Sequence, residues 1–246
     1  MPRWVYGIHP VEEVLLKKGG ECDLLLIKKD NNNKALKRIE ALAHKENIRV
    51  RFAEPAELSR TCDDGNHQGV AARLPDYRYA DFHDWLEGLK AKSPMPDVLV
   101  LDELQDPHNL GAVLRSADCF GIGGVVIGRE RSVQVTETVV RTSAGAADWV
   151  PVAQAVNTVR ALEDLKQAGY WIVGTVVGAE TSIYQLKLDF PCVFVMGSEE
   201  KGLRQLVRSH CDYLVGLPSV GHVDSLNVSV ATGIVLSENF RRKNGL

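Results

Sequence analysis

The stretch VLVLDELQDPHNLGAVLRSADCFGIGGVVIG, residues 98–128, indicates the fold of the longer part of the chain. Its apolar runs at 98–101 and 124–127 have the length and composition of buried strands. Between them, a helical pattern of apolar residues extends from Leu110 to Phe120. An apolar strand, a helix and a second apolar strand are typical of a parallel sheet that is covered on both faces.

The same alternation continues to the end of the chain and predicts one α/β domain over residues 97–246. Residues 1–73 show a smaller pattern of helices and short strands, from HPVEEVLLKKG to NHQGVAARL, and predict a separate α/β domain. Residues 74–96 contain the breaker SPMP and a short amphipathic helical pattern. We therefore place a linker at 74–96, between the two domains.

Composition excludes several classes of protein. The 246 residues are 45% apolar and carry a formal net charge of −3, which argues against disorder and against a polybasic nucleic-acid binder. The five cysteines are odd in number and widely spaced, so neither a disulfide framework nor a metal site is expected. The sequence shows no secretion signal and no apolar run of about 20 residues, so we expect a cytoplasmic protein without membrane attachment.

Two phosphate-binding patterns are missing or incomplete. No GxGxxG motif follows a predicted strand and opens a helix. The sequence GSEEKGL, residues 197–203, has the glycine spacing of a phosphate loop, but Glu199 and Glu200 would repel a polyphosphate. A neutral or cationic ligand suits this loop better.

Ligands of open parallel sheets bind at the carboxyl ends of the strands, so the loops that follow strands are the candidate sites. In the first such loop, Asn109 and Arg115 are candidates for chemistry. The alternative is that Asn109 caps a helix that begins at Leu110 and that Arg115 is a solvated helix residue.

Two further loops have the same character. VMGSEEKGL is either part of a site or a glycine-rich turn that Ser198 or Glu199 caps. GLPSVGHVDSLNVSVATGIVL, residues 216–236, enters a helix through Ser225 and Asn227, either of which is also suited to be a helix cap. Three polar, glycine-rich loops at strand ends favour a functional site over three independent turns.

These residues resemble a known family. DPHNLGAVLRSAD, VMGSEEKGL and LPSVGHVDSLNVSVATGIVL match, in order and spacing, the three motifs of the SpoU (TrmH-like) family of RNA ribose 2′-O-methyltransferases in the SPOUT superfamily. The resemblance covers 97–246. Residues 1–73, through VYGIHPVEEVL and NHQGVAA, resemble the small L30e-like substrate-binding domain of some members. The layout is most similar to that of members that methylate a guanosine ribose in large-subunit (23S) ribosomal RNA.

The resemblance implies an α/β fold with a trefoil knot, a homodimer, and S-adenosylmethionine as the methyl donor, bound without a metal. The cofactor positions of the family fall on Gly197, Leu217 and Leu226. Glycine allows the backbone to approach an adenosine closely, and leucine side chains are suited to contact an adenine ring. The anionic loop at Glu199 suits the sulfonium charge.

The functional positions that the resemblance implies for catalysis are Asn109, Arg115, Glu199, Ser225 and Asn227. A ribose 2′-hydroxyl is a weak nucleophile that must be positioned for attack and must lose a proton. Because a guanidinium pKa lies above about 12, Arg115 is better suited to grip the adjacent phosphate than to act as a free base. We expect the two asparagines to hold Arg115 or the ribose. Ser225 would make local hydrogen bonds, and Glu199 would shape its loop.

The first domain is then expected to bind the RNA. Its densest basic run comprises Lys28, Lys29, Lys34, Lys37 and Arg38. These side chains would give affinity through phosphates without reading sequence. The alternative is a solvated helix face.

Two other functions are compatible with this pattern of residues. A tRNA ribose methyltransferase would share the chemistry, but the front domain favours ribosomal RNA. A non-catalytic RNA-binding or ribosome-assembly module would share the fold. The presence of Asn109, Arg115, Glu199 and Asn227 together argues against it.

Overall fold

The computed structural model describes residues 3–18, 22–29, 33–62, 64–187, 190–223 and 225–246. By its internal contacts the chain divides into two units, Met1–Arg78 and Tyr79–Leu246. Each unit is α/β, and the larger one has a parallel sheet, which confirms the predicted fold class. Among the described residues, no helix combines the length and apolar character that crossing a membrane requires.

The described residues of the first unit form a four-stranded sheet and three helices. Its elements are β1 (Arg3–Tyr6), α1 (Ile8–Lys18), β2 (Leu24–Lys28), α2 (Lys34–Lys45), β3 (Arg49–Ala53), α3 (Pro55–Thr61) and β4 (Val70–Leu74). The strand order is β1-β4-β2-β3, in which β4 is antiparallel to both of its neighbours and β2 is parallel to β3.

Strand β2 explains why this unit is compact. Leu25 and Ile27 pack into a cluster with side chains of α1 and α2, and Leu24 and Leu26 pack on the opposite face with Leu58 of α3. The strand is thus buried on both faces, as its continuous apolar run indicates. Strand β1 was not expected from the sequence, because its four residues are too few to display a clear alternation.

The second unit has a seven-stranded parallel sheet. Its strands are β5 (Val98–Leu101), β6 (Val125–Gly128), β7 (Val152–Ala155), β8 (Trp171–Thr175), β9 (Thr181–Ser182), β10 (Cys192–Met196) and β11 (Tyr213–Gly216). Their order is β7-β6-β5-β10-β8-β11-β9. Strands β5, β6 and β7 follow one another toward one edge of the sheet, and the later strands all lie on the other side of β5. The strand order therefore reverses between β5 and β10. Such a reversal is the usual ligand site of an open α/β sheet.

The described residues of this unit form six helices: α4 (Phe82–Lys90), α5 (Pro107–Cys119), α6 (Glu137–Thr142), α7 (Thr158–Gln167), α8 (Gln205–Ser209) and α9 (Val228–Lys243). A short 3-10 helix spans Ala146–Asp148. The proposed linker, 74–96, contains α4, whose Leu86 and Leu89 are buried in the core of the second unit. The Trp85 indole also donates to the Gly123 carbonyl at 3.0 Å. The second unit therefore begins at Tyr79 and includes α4, because the apolar face of α4 is buried in the core of that unit.

The C-terminal helix is fastened to the start of β5. The buried Asp97 carboxylate accepts hydrogen bonds from the Lys243 ammonium at 2.6 Å and the Asn239 amide at 2.6 Å, both from α9. It also accepts the backbone N–H of Cys192 at 2.8 Å, at the start of β10. Asp97 thereby fixes α9 against the two central strands.

Candidate active site

A cavity of about 500 Å³ opens at the carboxyl ends of β8, β10 and β11. This volume is in the range of small-molecule sites. The cavity walls come from the segments that follow these three strands and from the start of α9. They include Thr175, Val176, Val177, Met196, Gly197, Ser198, Glu199, Leu217, Pro218, Ser225, Leu226 and Val228.

One wall of the cavity is a tight turn after β10. Ser198 and Gly202 exchange two backbone hydrogen bonds, of 3.1 and 3.0 Å, which fold residues 197–203 back on themselves. A Cβ atom at Gly197 would overlap the backbone of Gly202, so glycine is required there. Gly202 has a φ of +63°, a conformation that glycine adopts without strain.

The three residues expected to bind the cofactor, Gly197, Leu217 and Leu226, all line this cavity. Gly197 follows β10, Leu217 follows β11, and Leu226 lies just before α9. Together they give the cavity one glycine and two apolar side chains. The sequence did not point to Thr175 and Val176, which also line it. They lie at the end of β8 and directly after it. Strand β8 lies between β10 and β11, but the sequence alone does not reveal that strand order.

Three of the five residues expected in catalysis form one hydrogen-bonded chain. The Asn109 amide nitrogen donates to the Glu199 carboxylate at 2.6 Å, and the Asn227 amide nitrogen donates to the Asn109 carbonyl oxygen at 3.0 Å. Asn109 is buried at the centre of this chain. Three loops that are distant in sequence are thus joined through one side-chain amide, so they form a single site.

The interpretation of Asn109 as a helix cap is wrong. Helix α5 begins at Pro107, earlier than predicted, and the Asp106 carboxylate caps it by accepting the His108 N–H at 2.8 Å. Asn109 therefore lies inside the first turn, where its side chain is available to bridge Glu199 and Asn227.

Asn227 does cap a helix, and it also belongs to the site. Its side-chain oxygen accepts the N–H of Ser229 at 2.9 Å, at the start of α9. Because that oxygen is occupied, the amide nitrogen is oriented toward Asn109. The helix cap and the hydrogen bond to Asn109 thus depend on the same orientation of the Asn227 side chain.

The other two residues expected in catalysis, Ser225 and Arg115, differ in their position relative to the cavity. Ser225 lines the cavity. Arg115 is exposed on α5 and does not line the cavity, and within the described residues no hydrogen bond or ion pair holds its guanidinium. The structure of one chain therefore does not bring Arg115 into the group around Asn109.

The five basic residues predicted to bind RNA differ in whether they form ion pairs. Lys29 pairs with Glu54 at 3.1 Å and Arg38 pairs with Glu12 at 2.5 Å. Lys28 is exposed at the end of β2. Lys34 and Lys37 are exposed on α2, and no ion pair engages them in the part of the chain that the structure describes. These two lysines are the members most available to a phosphate.

Two family models match the chain. The SpoU rRNA Methylase family matches residues 96–237, and the model for RNA 2′-O ribose methyltransferase substrate binding matches residues 4–80. The second match falls within the first structural unit, apart from its last residues.

Individual relatives agree with these models over nearly the whole chain. A Staphylococcus saprophyticus protein described as a TrmH family tRNA/rRNA methyltransferase is 39% identical over 240 residues, which cover 98% of this chain and 96% of that protein. A Bacillus subtilis protein of the same description is 38% identical over 241 residues, with the same two coverages.

Solved structures show the same architecture. An AdoMet-bound rRNA methyltransferase from Sinorhizobium meliloti matches with a TM-score of 0.78 and 25% identity, over 98% of this chain and 87% of that one. An RNA methyltransferase of the TrmH family from Porphyromonas gingivalis matches with a TM-score of 0.75 and 27% identity, over 98% and 90%. The motifs, the site geometry and the family matches agree, and the chain belongs to the SpoU rRNA methylase family.

Proposed function

We propose that this RNA 2′-O-ribose methyltransferase uses S-adenosylmethionine to methylate a guanosine in large-subunit (23S) ribosomal RNA. The observation that carries the proposal is the hydrogen-bonded chain Glu199–Asn109–Asn227 at the edge of an apolar, glycine-walled cavity. These hydrogen-bonded side chains would offer fixed polar groups to an RNA, beside a cavity of the right size for a nucleoside.

The cavity fits the cofactor in size and chemistry. Gly197 lines the cavity at the turn after β10, and Leu217 and Leu226 offer apolar surface to a flat base. S-adenosylmethionine supplies an electrophilic methyl group on a sulfonium centre. The carboxylates of Glu199 and Glu200, on the loop beside the cavity, favour a ligand with that positive charge.

The polar groups at the cavity edge have distinct proposed roles. Glu199 accepts the Asn109 hydrogen bond at 2.6 Å, so it serves to orient Asn109 rather than to act as a base. Asn109 and Asn227 would hold the ribose, and Ser225 would complete the local hydrogen bonding. Fixing the hydroxyl in an attack geometry lowers the barrier by removing orientational freedom. The proton that leaves the hydroxyl passes to a phosphate oxygen or to water.

Arg115 is proposed to grip the phosphate next to the target ribose. Its guanidinium is exposed and unengaged among the described residues, and its planar fork matches a phosphate. Because it does not line the cavity of its own chain, we propose a homodimer in which Arg115 serves the partner subunit's site. Val230 and Phe240 of α9 are half-exposed apolar residues, and they offer surface for such an interface.

Mixed dimers test this arrangement. A preparation of Arg115→Ala chains mixed with Gly197→Ala chains should recover methyl transfer, because one of the two sites in a mixed dimer then has both intact groups. Recovery should be absent if Arg115 acts within its own chain. Analytical ultracentrifugation of the unmodified protein checks that it is a dimer.

Ribosomal RNA is favoured over tRNA by the extent of the structural matches. The rRNA methyltransferase from Sinorhizobium meliloti covers 98% of this chain, including the front unit. A structure concerned with 2-OH methylation of C/U34 on tRNA covers 61%, and an A. aeolicus TrmH/SpoU tRNA modifying enzyme covers 67%. The front unit, with Lys28, Lys34 and Lys37 exposed, is the proposed RNA reader, and such a substrate would place the reaction in the cytoplasm.

The decisive experiment is transfer of a radiolabelled methyl group to 23S ribosomal RNA and to tRNA, both purified from cells that lack this protein. We expect label in 23S ribosomal RNA, at a guanosine that nuclease mapping identifies. Label in tRNA alone would establish the alternative substrate. No transfer to either RNA, with binding retained, would support a non-catalytic module.

The same assay includes two asparagine variants. Asn109→Ala should abolish transfer, because it breaks both links of the hydrogen-bonded chain. Asn157→Ala removes the cap of α7 and has a comparable structural cost, but it should leave the transfer rate near that of the unmodified protein. Equal activity losses in the two variants would contradict the role of Asn109.

A further inference from the structure

A second link joins the loops after β5 and β10, at their bases. Asp102 is the first residue after β5, and its side chain is fully buried. One carboxylate oxygen accepts the backbone N–H of Arg204 at 2.9 Å, and the other accepts Arg204 Nε at 2.8 Å. Asp102 therefore holds both the backbone and the side chain of Arg204, the residue that directly follows the turn 197–203.

The other nitrogens of the Arg204 guanidinium extend this link. One donates to the Thr158 hydroxyl at 3.1 Å, at the start of α7, and another lies 3.3 Å from the Glu103 carboxylate. Glu103 has a φ of +58°, which is unfavourable for a residue with a side chain. Arg204 thus supports the strained turn through which the chain leaves β5 and enters α5.

The two links together fix one loop against the other. At the bases Asp102 binds Arg204, and at the tips Asn109 binds Glu199. The turn 197–203, which forms a wall of the cavity, is therefore held at both ends against the segment that carries Asn109. Loss of either link would let the wall move relative to the ribose-binding side chains.

We propose that Asp102 and Arg204 are positioning residues, which hold the cofactor-binding wall 197–203 in register with Asn109. The inference rests on the proposed function, since it concerns the same cavity. Neither residue lines the cavity among the described residues, so a contact with the cofactor is not required for the effect. The Arg204 guanidinium is charged at neutral pH, as arginine is in proteins, and the hydrogen bond with Asp102 raises its pKa further.

Arg204→Lys in the full-length protein tests the proposal. Lysine keeps a positive charge beside the buried Asp102, so no buried charge is left unpaired, but it cannot reproduce the fork. We expect a folded protein in which the wall is ordered in a minority of molecules. If the ordered fraction is about a tenth, the apparent affinity for S-adenosylmethionine falls about tenfold in calorimetry.

A second measurement needs neither cofactor nor RNA. The amide hydrogens of Ser198 and Gly202 close the turn, and they should exchange faster with solvent in Arg204→Lys than in the unmodified protein. At saturating cofactor, methyl transfer to RNA should also be slowed by about tenfold or more, because the donor and the hydroxyl are misaligned.

Lys166→Gln is the matched control. Asp212 accepts the Lys166 ammonium at 2.6 Å and the backbone N–H of Ile172 at 2.8 Å, so it holds a cation and an N–H as Asp102 does. Ile172 lies near the start of β8, at the end of the sheet away from the cavity. The control should lower the melting temperature slightly while cofactor affinity and exchange at Ser198 and Gly202 stay unchanged.

If Arg204→Lys does not fold, the double variant Asp102→Asn/Arg204→Gln replaces it, because it removes both charges together. Weakened cofactor binding by either folded variant, against an unaffected control, supports the proposal. Unmodified affinity and exchange in a folded variant overturn it, as does an equal loss in Lys166→Gln. Failure of the unmodified protein to bind S-adenosylmethionine would instead reject the proposed function.

Discussion

Gly197 is the residue at which the backbone shape of the turn and the proposed binding of the cofactor depend on each other most directly. Any side chain there would overlap Gly202, so Gly197→Ala should open the turn and abolish measurable binding of S-adenosylmethionine. The turn lies at the surface, so the melting temperature should fall only a few degrees. Calorimetry and thermal unfolding measure the two effects.

Gly88→Ala is the control for that change. Gly88 lies in α4 with open space around its Cβ position, so alanine should be neutral or stabilise the helix by up to about 1 kcal/mol. Cofactor binding should be unaffected. Retained binding by Gly197→Ala would show that the turn tolerates a side chain and that the cavity is not the cofactor site.

Substitution of Arg115 is expected to affect methyl transfer without affecting cofactor binding. Because its guanidinium has no partner in the described structure, Arg115→Ala should change the free energy of unfolding by less than about 0.5 kcal/mol. Methyl transfer should be abolished, and cofactor affinity should stay within a few-fold. Arg115→Lys should fail as well, since a point charge does not reproduce a bidentate grip on phosphate.

Arg160→Ala is the appropriate comparison for Arg115, because Arg160 is also exposed on a helix of the second unit. Its transfer rate should match that of the unmodified protein. If Arg115→Lys keeps most of the rate, positive charge alone is sufficient and the proposed grip is incorrect.

At the scale of elements, most strands and helices of the second unit follow from apolar periodicity, but their ends do not. The predicted helix started at Leu110, whereas α5 starts at Pro107. The signal was present, since Asp106 followed by Pro107 is a typical cap and first helical residue. Asn109 was a second acceptable cap, and only its contacts with Glu199 and Asn227 show why the helix includes it.

The end of α9 gives an acid-dependent contribution to stability. Hydrogen bonds from Arg241 and Arg242 lower the pKa of Glu238 from 4.5 to about 2. Because the folded pKa is depressed, this stabilisation is present above the unfolded value and is lost as pH falls toward about 2. Glu238→Gln should therefore lower the free energy of unfolding at neutral pH, and the difference from the unmodified protein should shrink below about pH 4.5.

Chemical denaturation across a pH series measures this difference. Glu180→Gln, at an exposed position of the same unit, should show no comparable trend with pH. A difference between Glu238→Gln and the unmodified protein that stays constant from neutral pH to pH 3 would show that the two arginines contribute nothing through this carboxylate.

At the scale of the whole molecule, the sequence predicts candidate site residues but not which of them lie together. Asn109, Glu199 and Asn227 were identified from loops that follow strands. Their hydrogen bonds depend on β10 lying beside β5, although many residues and several strands separate the two. Local periodicity carries no information about that order. The same limitation explains why Arg204 was missed: its partner, Asp102, becomes a neighbour only when the sheet forms.

The proposed role of the first unit as the RNA-binding unit leads to a prediction about RNA binding. Residues 97–246 carry an excess of acidic side chains, whereas Lys34 and Lys37 in the first unit are exposed without an ion-pair partner among the described residues. Phosphate neutralisation supplies most of the non-specific affinity for RNA. Lys34→Glu/Lys37→Glu should therefore weaken binding of 23S ribosomal RNA and flatten its salt dependence by up to about two phosphate contacts.

Filter binding across a salt series measures the slope, with cofactor affinity as the check on folding. Lys92→Glu/Arg160→Glu makes the same change in charge on the second unit and is the matched control, because both side chains are exposed and neither has an ion-pair partner among the described residues. Net charge alone would weaken both variants equally, because long-range attraction depends on the total charge. A larger loss of slope in Lys34→Glu/Lys37→Glu would assign the phosphate contacts to α2. Equal losses would mean that this face of α2 is a solvated surface and that the RNA is held elsewhere.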